Sequence, residues 1–236
     1  MAMSEAPIGI FDSGIGGVTT LDACRRLLFN EDFIYIADER FAPYGDKPEE
    51  FIVGRVFACA RRLADMGAKA VVIACNTATN AGAGRLRTAF PLPVVGLEPA
   101  VKPAYEAYTG GRAVLPCTPA TAASAKFRTL LSRFGGYNLT VLPLARLAGL
   151  IEKNIENPDV LEPYIREIFS PYPDLSQIIL GCTHYVFLRG MLERIFGGRV
   201  KIFDGNDGAA KRLKLLLQAR NLLSPRPSVG RVEFLT

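Results

Sequence analysis

The chain has 236 residues, 49% of them hydrophobic and 22% charged, with a net charge of +5 and a single histidine. This is a globular composition with material for one or two packed cores, and no apolar run approaches the roughly 20 residues that a bilayer span needs. The basic residues are scattered, which argues against a nucleic-acid partner, and none of the five cysteines falls in a C-x-x-C pair, which argues against a disulfide framework or a zinc site.

No basic segment followed by an apolar one opens the chain, so the expectation is a cytoplasmic protein with no membrane partner. Strand-like and helical patterns then alternate from start to end. Ile8–Phe11 reads as a strand and Val18–Phe29 as a helix. Between them lies Asp12-Ser13-Gly14-Ile15-Gly16-Gly17. Its glycine spacing does not fit a dinucleotide loop, and no P-loop lysine follows. A tight turn that brings backbone close to a small ligand fits better, with Asp12 and Ser13 at the carboxyl edge of the sheet. Asp12 as a simple turn former is the bland alternative.

Phe33–Ala37 is the next strand, followed by Pro43-Tyr44-Gly45, a turn whose glycine amide could face a carboxylate. A helix over Pro48–Met66 leads to the strand Ala70–Ala74, a helix over Ala81–Phe90 and the strand Val94–Gly96. The second half repeats the alternation. Its helices are Pro99–Tyr108, Pro119–Phe134, Leu144–Asn154, Leu161–Phe169, Phe187–Phe196 and Gly208–Asn221. Its strands are Ala113–Pro116, Asn138–Leu142, Gln177–Gly181 and Val200–Phe203. Thr118 reads as a helix N-cap with Pro119 at the first helical position, and Thr118 and Thr121 lie where a helix start can receive an anion. The pattern predicts an α/β fold: two similar α/β domains with mostly parallel sheets, and ligands at the carboxyl ends of the strands. The expected division is 1–97 plus 206–236 for the first domain and 98–205 for the second.

Two cysteines stand in near-twin settings. One is in Val71-Val72-Ile73-Ala74-Cys75-Asn76-Thr77, the other in Ile178-Ile179-Leu180-Gly181-Cys182-Thr183-His184. Each ends a buried-strand pattern and is followed by hydroxyl or amide side chains. Cys24 and Cys59 fall within helical patterns and read as core. Cys117 follows a strand and is a weaker candidate for lining the site. A Cys182–His184 nucleophile pair is conceivable but leaves Cys75 unexplained.

Taken together, Gly9-Ile-Phe-Asp12-Ser13-Gly-Ile-Gly-Gly17, Pro43-Tyr44-Gly45, Ala74-Cys75-Asn76-Thr77-Ala78-Thr79, Thr118-Pro-Ala-Thr121 and Gly181-Cys182-Thr183-His184-Tyr185 resemble the glutamate racemases of the aspartate/glutamate racemase superfamily. The resemblance runs from residue 8 to about residue 220. It implies two α/β domains with the active site in the cleft between them, racemisation of glutamate without cofactor or metal, and a homodimer. It implies that Cys75 acts on the D isomer and Cys182 on the L isomer, assisted by Asp12 and His184. It places Ser13, Tyr44, Gly45, Asn76, Thr77, Thr121 and Thr183 around the substrate, and the D-glutamate formed would feed peptidoglycan synthesis. Glu152 is a further candidate, matching a family glutamate through Leu150-Ile151-Glu152. Val186 stands where the family usually has proline, and Ala120 where glycine is common.

The chemistry suits these residue types. Removing an α-proton on one face and returning one to the other needs two fixed acid–base groups, and a thiol carries one transferable proton. A racemase for aspartate or another acidic amino acid, and a catalytically silent binding relative, remain as alternatives.

Overall fold

The protein is described by a computed structural model covering residues 3–236. The first half opens with β1 (Ile8–Asp12), α1 (Val18–Leu27), β2 (Phe33–Ala37), α2 (Glu49–Asp65), β3 (Ala70–Ile73), α3 (Asn76–Ala89) and β4 (Val94–Gly96). The second half contributes α4 (Val101–Glu106), β5 (Arg112–Cys117), α5 (Pro119–Ala123), α6 (Ala125–Leu131), β6 (Leu139–Pro143), α7 (Leu147–Lys153), α8 (Glu162–Phe169), β7 (Leu175–Ile179), α9 (Arg189–Phe196) and β8 (Lys201–Phe203). The chain then runs through α10 (Asn206–Gln218) to β9 (Val232–Leu235). Among the described residues, no helix is long and apolar enough to cross a membrane.

Among the described residues all pairings are parallel, and the strands form two sheets ordered β4-β3-β1-β2-β9 and β6-β5-β7-β8. The first four strands of each half have the same order once the second is read backwards. β1 lies between β2 and β3, as β5 lies between β6 and β7. Successive crossovers therefore leave in opposite directions from β1 and from β5. Such a reversal opens a crevice at the carboxyl ends of the strands beside it. The two crevices are bordered by the ends of β1 and β3, and of β5 and β7.

Period-2 side-chain alternation sorts the core. On one face of the first sheet, Ile8, Ile10, Tyr35 and Val72 pack under α1 and α10. On the other, Phe11, Ile36, Val71 and Ile73 pack under α2 and α3. The second sheet buries Val114, Ile178 and Leu180 on the face of α7, α8 and α9, and Leu115, Cys117 and Ile179 on the face of α4 and α6. Where both faces are covered, as in β2 and β3, the strands are fully buried and read as continuous apolar runs.

Helix boundaries depart from the sequence pattern in three places that matter. The helix expected over Ala81–Phe90 begins at Asn76, because Asn76, Thr77 and Thr79 are buried in its first turns rather than exposed in a loop. Burial overrides their low helix propensity. The helix expected over Pro119–Phe134 is broken at Ser124, whose extended backbone ends α5 and whose side chain accepts from the Phe127 amide to start α6. The stretch before α9, from Thr183 to Leu188, winds as a 3-10 helix.

Below the first sheet, Lys69 and Glu31 form an ion pair with both side chains fully buried. Glu31 also accepts from the Ser224 amide at 2.8 Å, and so ties the tail that delivers β9. Burial holds Lys69 below its usual pKa, against the pull of Glu31. Lys69→Met leaves an uncompensated buried carboxylate and should cost about 3–5 kcal/mol of stability, read from the midpoint of urea unfolding. A loss below about 1 kcal/mol would show that the pair is dispensable.

Candidate active site

Asp12 is the last residue of β1 and is wholly buried. Its Oδ2 accepts from the amides of Gly17 at 2.8 Å and Gly14 at 3.4 Å, while Oδ1 has no hydrogen-bond partner. Cys75 caps the N-terminus of α3, and its sulfur lies 3.7 Å from Ser13 Oγ. Burial raises Asp12 above the usual carboxylate range, opposed by the charge of His184 and by backbone donors. Burial also pushes the Cys75 thiol well up, and the neighbouring Asp12 carboxylate pushes it further. Cys75 is thus held as a neutral thiol at physiological pH.

The other thiol has a different neighbourhood. Cys182 begins the 3-10 helix after β7, and His184 Nδ1 stands 3.9 Å from its sulfur. His184 Nε2 is 3.4 Å from Glu152 Oε2 on α7, within ion-pair distance. Burial pulls the imidazole pKa down, but Cys182 and Glu152 together outweigh it and push His184 up to about 11. The His184 contact in turn keeps Glu152 below its ordinary pKa. The result is a cation held between a sulfur and a carboxylate.

The two half-sites meet. A Cβ on Gly16 would stand 2.5 Å from Thr183 Oγ1 and 2.7 Å from His184 Nδ1, so only glycine lets the loop after β1 come this close to the second sheet. Thr77 Oγ1 is 2.8 Å from Thr118 Oγ1 and 3.3 Å from Thr121 Oγ1, and Thr118 hydrogen-bonds Thr121 within its own half. Cys75 is electrostatically coupled to Cys182, and His184 to Asp12, which places the two half-sites in one electrostatic environment.

The structure therefore brings together Asp12, Ser13, Cys75, Thr77, Thr118, Thr121, Cys182, Thr183, His184 and Glu152. Thr118 has its expected capping role, accepting from the Thr121 amide at 3.2 Å. Asn76 is buried here too, with its amide donating to Leu97 O at 3.3 Å. The Tyr44 hydroxyl is committed elsewhere: it is buried and donates to Asp38. What the turn at Tyr44–Gly45 can offer a ligand is backbone. Cys117 packs into the core with Ala100, Leu115 and Phe127 instead of lining the crevice, and burial pushes its thiol up to about 12. Cys24 and Cys59 are core residues, as their helical settings imply. Sequence reasoning missed Asp38 and Arg55. Asp38 carried a signal, since it directly follows β2 at the carboxyl edge of the sheet. Arg55 is one of several arginines on helices, with nothing to single it out.

The sequence profile of the Asp/Glu/Hydantoin racemase family matches residues 34–213. The chain belongs to this family. Among its relatives, a glutamate racemase of Clostridium botulinum is 39% identical over 237 aligned residues, covering 99% of this chain and 92% of the relative. The crystal structure of glutamate racemase from Thermus thermophilus in complex with β-chloro-D-alanine superposes with a TM-score of 0.80 at 35% identity, covering 98% of this chain and 87% of that one. That of the Francisella tularensis glutamate racemase in complex with D-glutamate gives 0.81 at 29% identity, covering 98% and 88%. The resemblance seen in the motifs is borne out, as are the parallel α/β fold and the assignment to the racemases, a class of isomerases.

The pKa of His184 has a consequence for stability. An unfolded histidine titrates near 6.5, and the folded one near 11. Its contribution is complete below about pH 6.5 and is lost as the pH rises toward about 11, because only the folded state keeps the proton in that window. The urea midpoint of the wild type should therefore fall more steeply between pH 7 and 10 than that of His184→Gln. Parallel slopes would refute a charged His184.

Proposed function

We propose that this protein interconverts L- and D-glutamate without a cofactor, using Cys75 and Cys182 as the two acid–base groups. The observation that carries the reading is the pairing of Cys75 with Asp12 and of Cys182 with His184–Glu152, at matching strand ends of two sheets of like topology. The structures of relatives holding β-chloro-D-alanine and D-glutamate support an amino-acid substrate.

In this reading Cys182 works as a thiolate beside the His184 cation and takes the α-proton of L-glutamate. The Cys75 thiol then delivers its proton to the opposite face, giving the D isomer. The reverse direction starts with the proton on Cys182 and a thiolate at Cys75. Asp12, raised by burial, shares the proton at Cys75, and Oδ1 is the atom free to do so. The negative charge that builds on the α-carboxylate meets hydroxyls of Thr77, Thr118, Thr121 and Thr183 and the amide edge at Asn76 in a water-poor crevice. Ser13 and Gly45 complete the substrate contacts. The finer assignments follow the family: domains of 1–97 with 206–236 and of 98–205, a cytoplasmic homodimer, and D-glutamate destined for peptidoglycan.

The test is polarimetric or circular-dichroism racemisation of L- and D-glutamate in EDTA with no added cofactor, with L-aspartate as competitor substrate. Glutamate should turn over in both directions and aspartate much more slowly; a preference for aspartate would move the substrate assignment. Cys75→Ser and Cys182→Ser should each lower racemisation on the order of 10²–10⁴-fold. In D₂O, Cys75→Ser should still exchange the α-proton of L-glutamate and Cys182→Ser that of D-glutamate. Near-normal racemisation in either variant would sink the two-thiol scheme.

A further inference from the structure

The segment from Glu39 to Lys47 is two short 3-10 turns on the surface, and Tyr44 is the side chain it buries. Gly45, next to it, reaches the second half, where a Cβ would meet the Thr118 side chain at 3.1 Å. The placement of this turn thus depends on what holds Tyr44. Its hydroxyl donates to Asp38, which follows β2 and whose amide donates to Asp12 O at 2.9 Å. Arg55, on α2, grips the same carboxylate with both arms: Nε to Oδ2 at 2.8 Å and an Nη to Oδ1 at 2.7 Å. The guanidinium also lies over the Phe41 ring, 3.8 Å from its centroid. A bidentate, partly buried pair of this kind fixes orientation as well as distance, and the ring stack adds a second hold on the same segment. One side chain therefore clamps residues 38, 41 and 44 to the rigid helix α2.

We propose that Arg55 is a positioning residue for substrate binding: acting through Asp38 and Tyr44, it holds the Tyr44–Gly45 turn against Thr118 and so sets how tightly a substrate carboxylate is gripped. Arg55 touches neither thiol. The inference rests on the glutamate-racemase reading, since it is the turn's role toward an acidic substrate that gives the clamp its purpose. Lysine cannot reproduce the two-armed contact, so charge and geometry can be separated.

The experiment compares wild type, Arg55→Met, Arg55→Lys and Tyr44→Phe in steady-state racemisation of both isomers, with thermal melting alongside. Wild-type turnover of glutamate comes first: its failure would strike the functional reading itself, whatever Arg55 does. With that turnover in hand, Arg55→Met should raise KM for L- and D-glutamate about tenfold or more while kcat changes less than about threefold. Arg55→Lys should recover only part of the loss, and Tyr44→Phe should raise KM in the same sense while leaving the Arg55–Asp38 pair in place. Should Arg55→Met not fold, the Arg55→Lys and Tyr44→Phe results decide. A lowered melting temperature with unchanged KM, or a fall in kcat alone, would overturn the proposal.

Discussion

The close approach of the loop after β1 to Thr183 and His184 makes one site out of two half-sites. Each sheet alone offers a strand-end thiol and a few hydroxyls, facing water. Glycine at position 16 removes the side chain that would hold the halves apart, and the threonine hydroxyls of both halves then hydrogen-bond across the seam. The desolvation that lifts Cys75 and Asp12 and the electrostatic coupling of Cys75 to Cys182 belong to the crevice that this contact closes.

Within that shared crevice the two thiols are not equivalent. The halves share a strand order, yet their helpers differ in sign. Asp12 sets a negative group beside Cys75, whereas His184, backed by Glu152, sets a positive one beside Cys182. Cys117 ends β5 as Asp12 ends β1, but its side chain is spent on the core. The duplication is therefore one of backbone, overlaid with different chemistry.

The sequence carried the alternation of strands and helices well, because fully buried parallel strands write themselves as apolar runs such as Phe33–Ala37 and Ala70–Ile73. It carried helix starts poorly where polar residues were buried for reasons of place. Asn76 and Thr77 look like a loop by composition and are the first turn of α3. Glu152 carried only the short Leu150-Ile151-Glu152 signal, and its contact with His184 bridges α7 and the segment after β7. The pairing of Arg55 with Asp38 left no mark in the sequence, since a helix arginine is a common residue in a common setting, although Asp38 and the Tyr44–Gly45 turn both follow the end of β2.

What the amino-acid sequence determined by itself was local and periodic: which runs become strands, that Cys75 and Cys182 end two of them, and that hydroxyl-bearing residues follow each. These follow from side-chain alternation and turn chemistry, which act over a few residues. What the tertiary structure decided was pairing across distance. It chose that Cys117 turns into the core while Cys182 faces His184, that the Tyr44 hydroxyl serves Asp38, and that the glycine loop meets the second half. Charge and burial act through space, so the raised pKa of the Cys75 thiol belongs to the folded arrangement, where Asp12 is brought beside it from another strand.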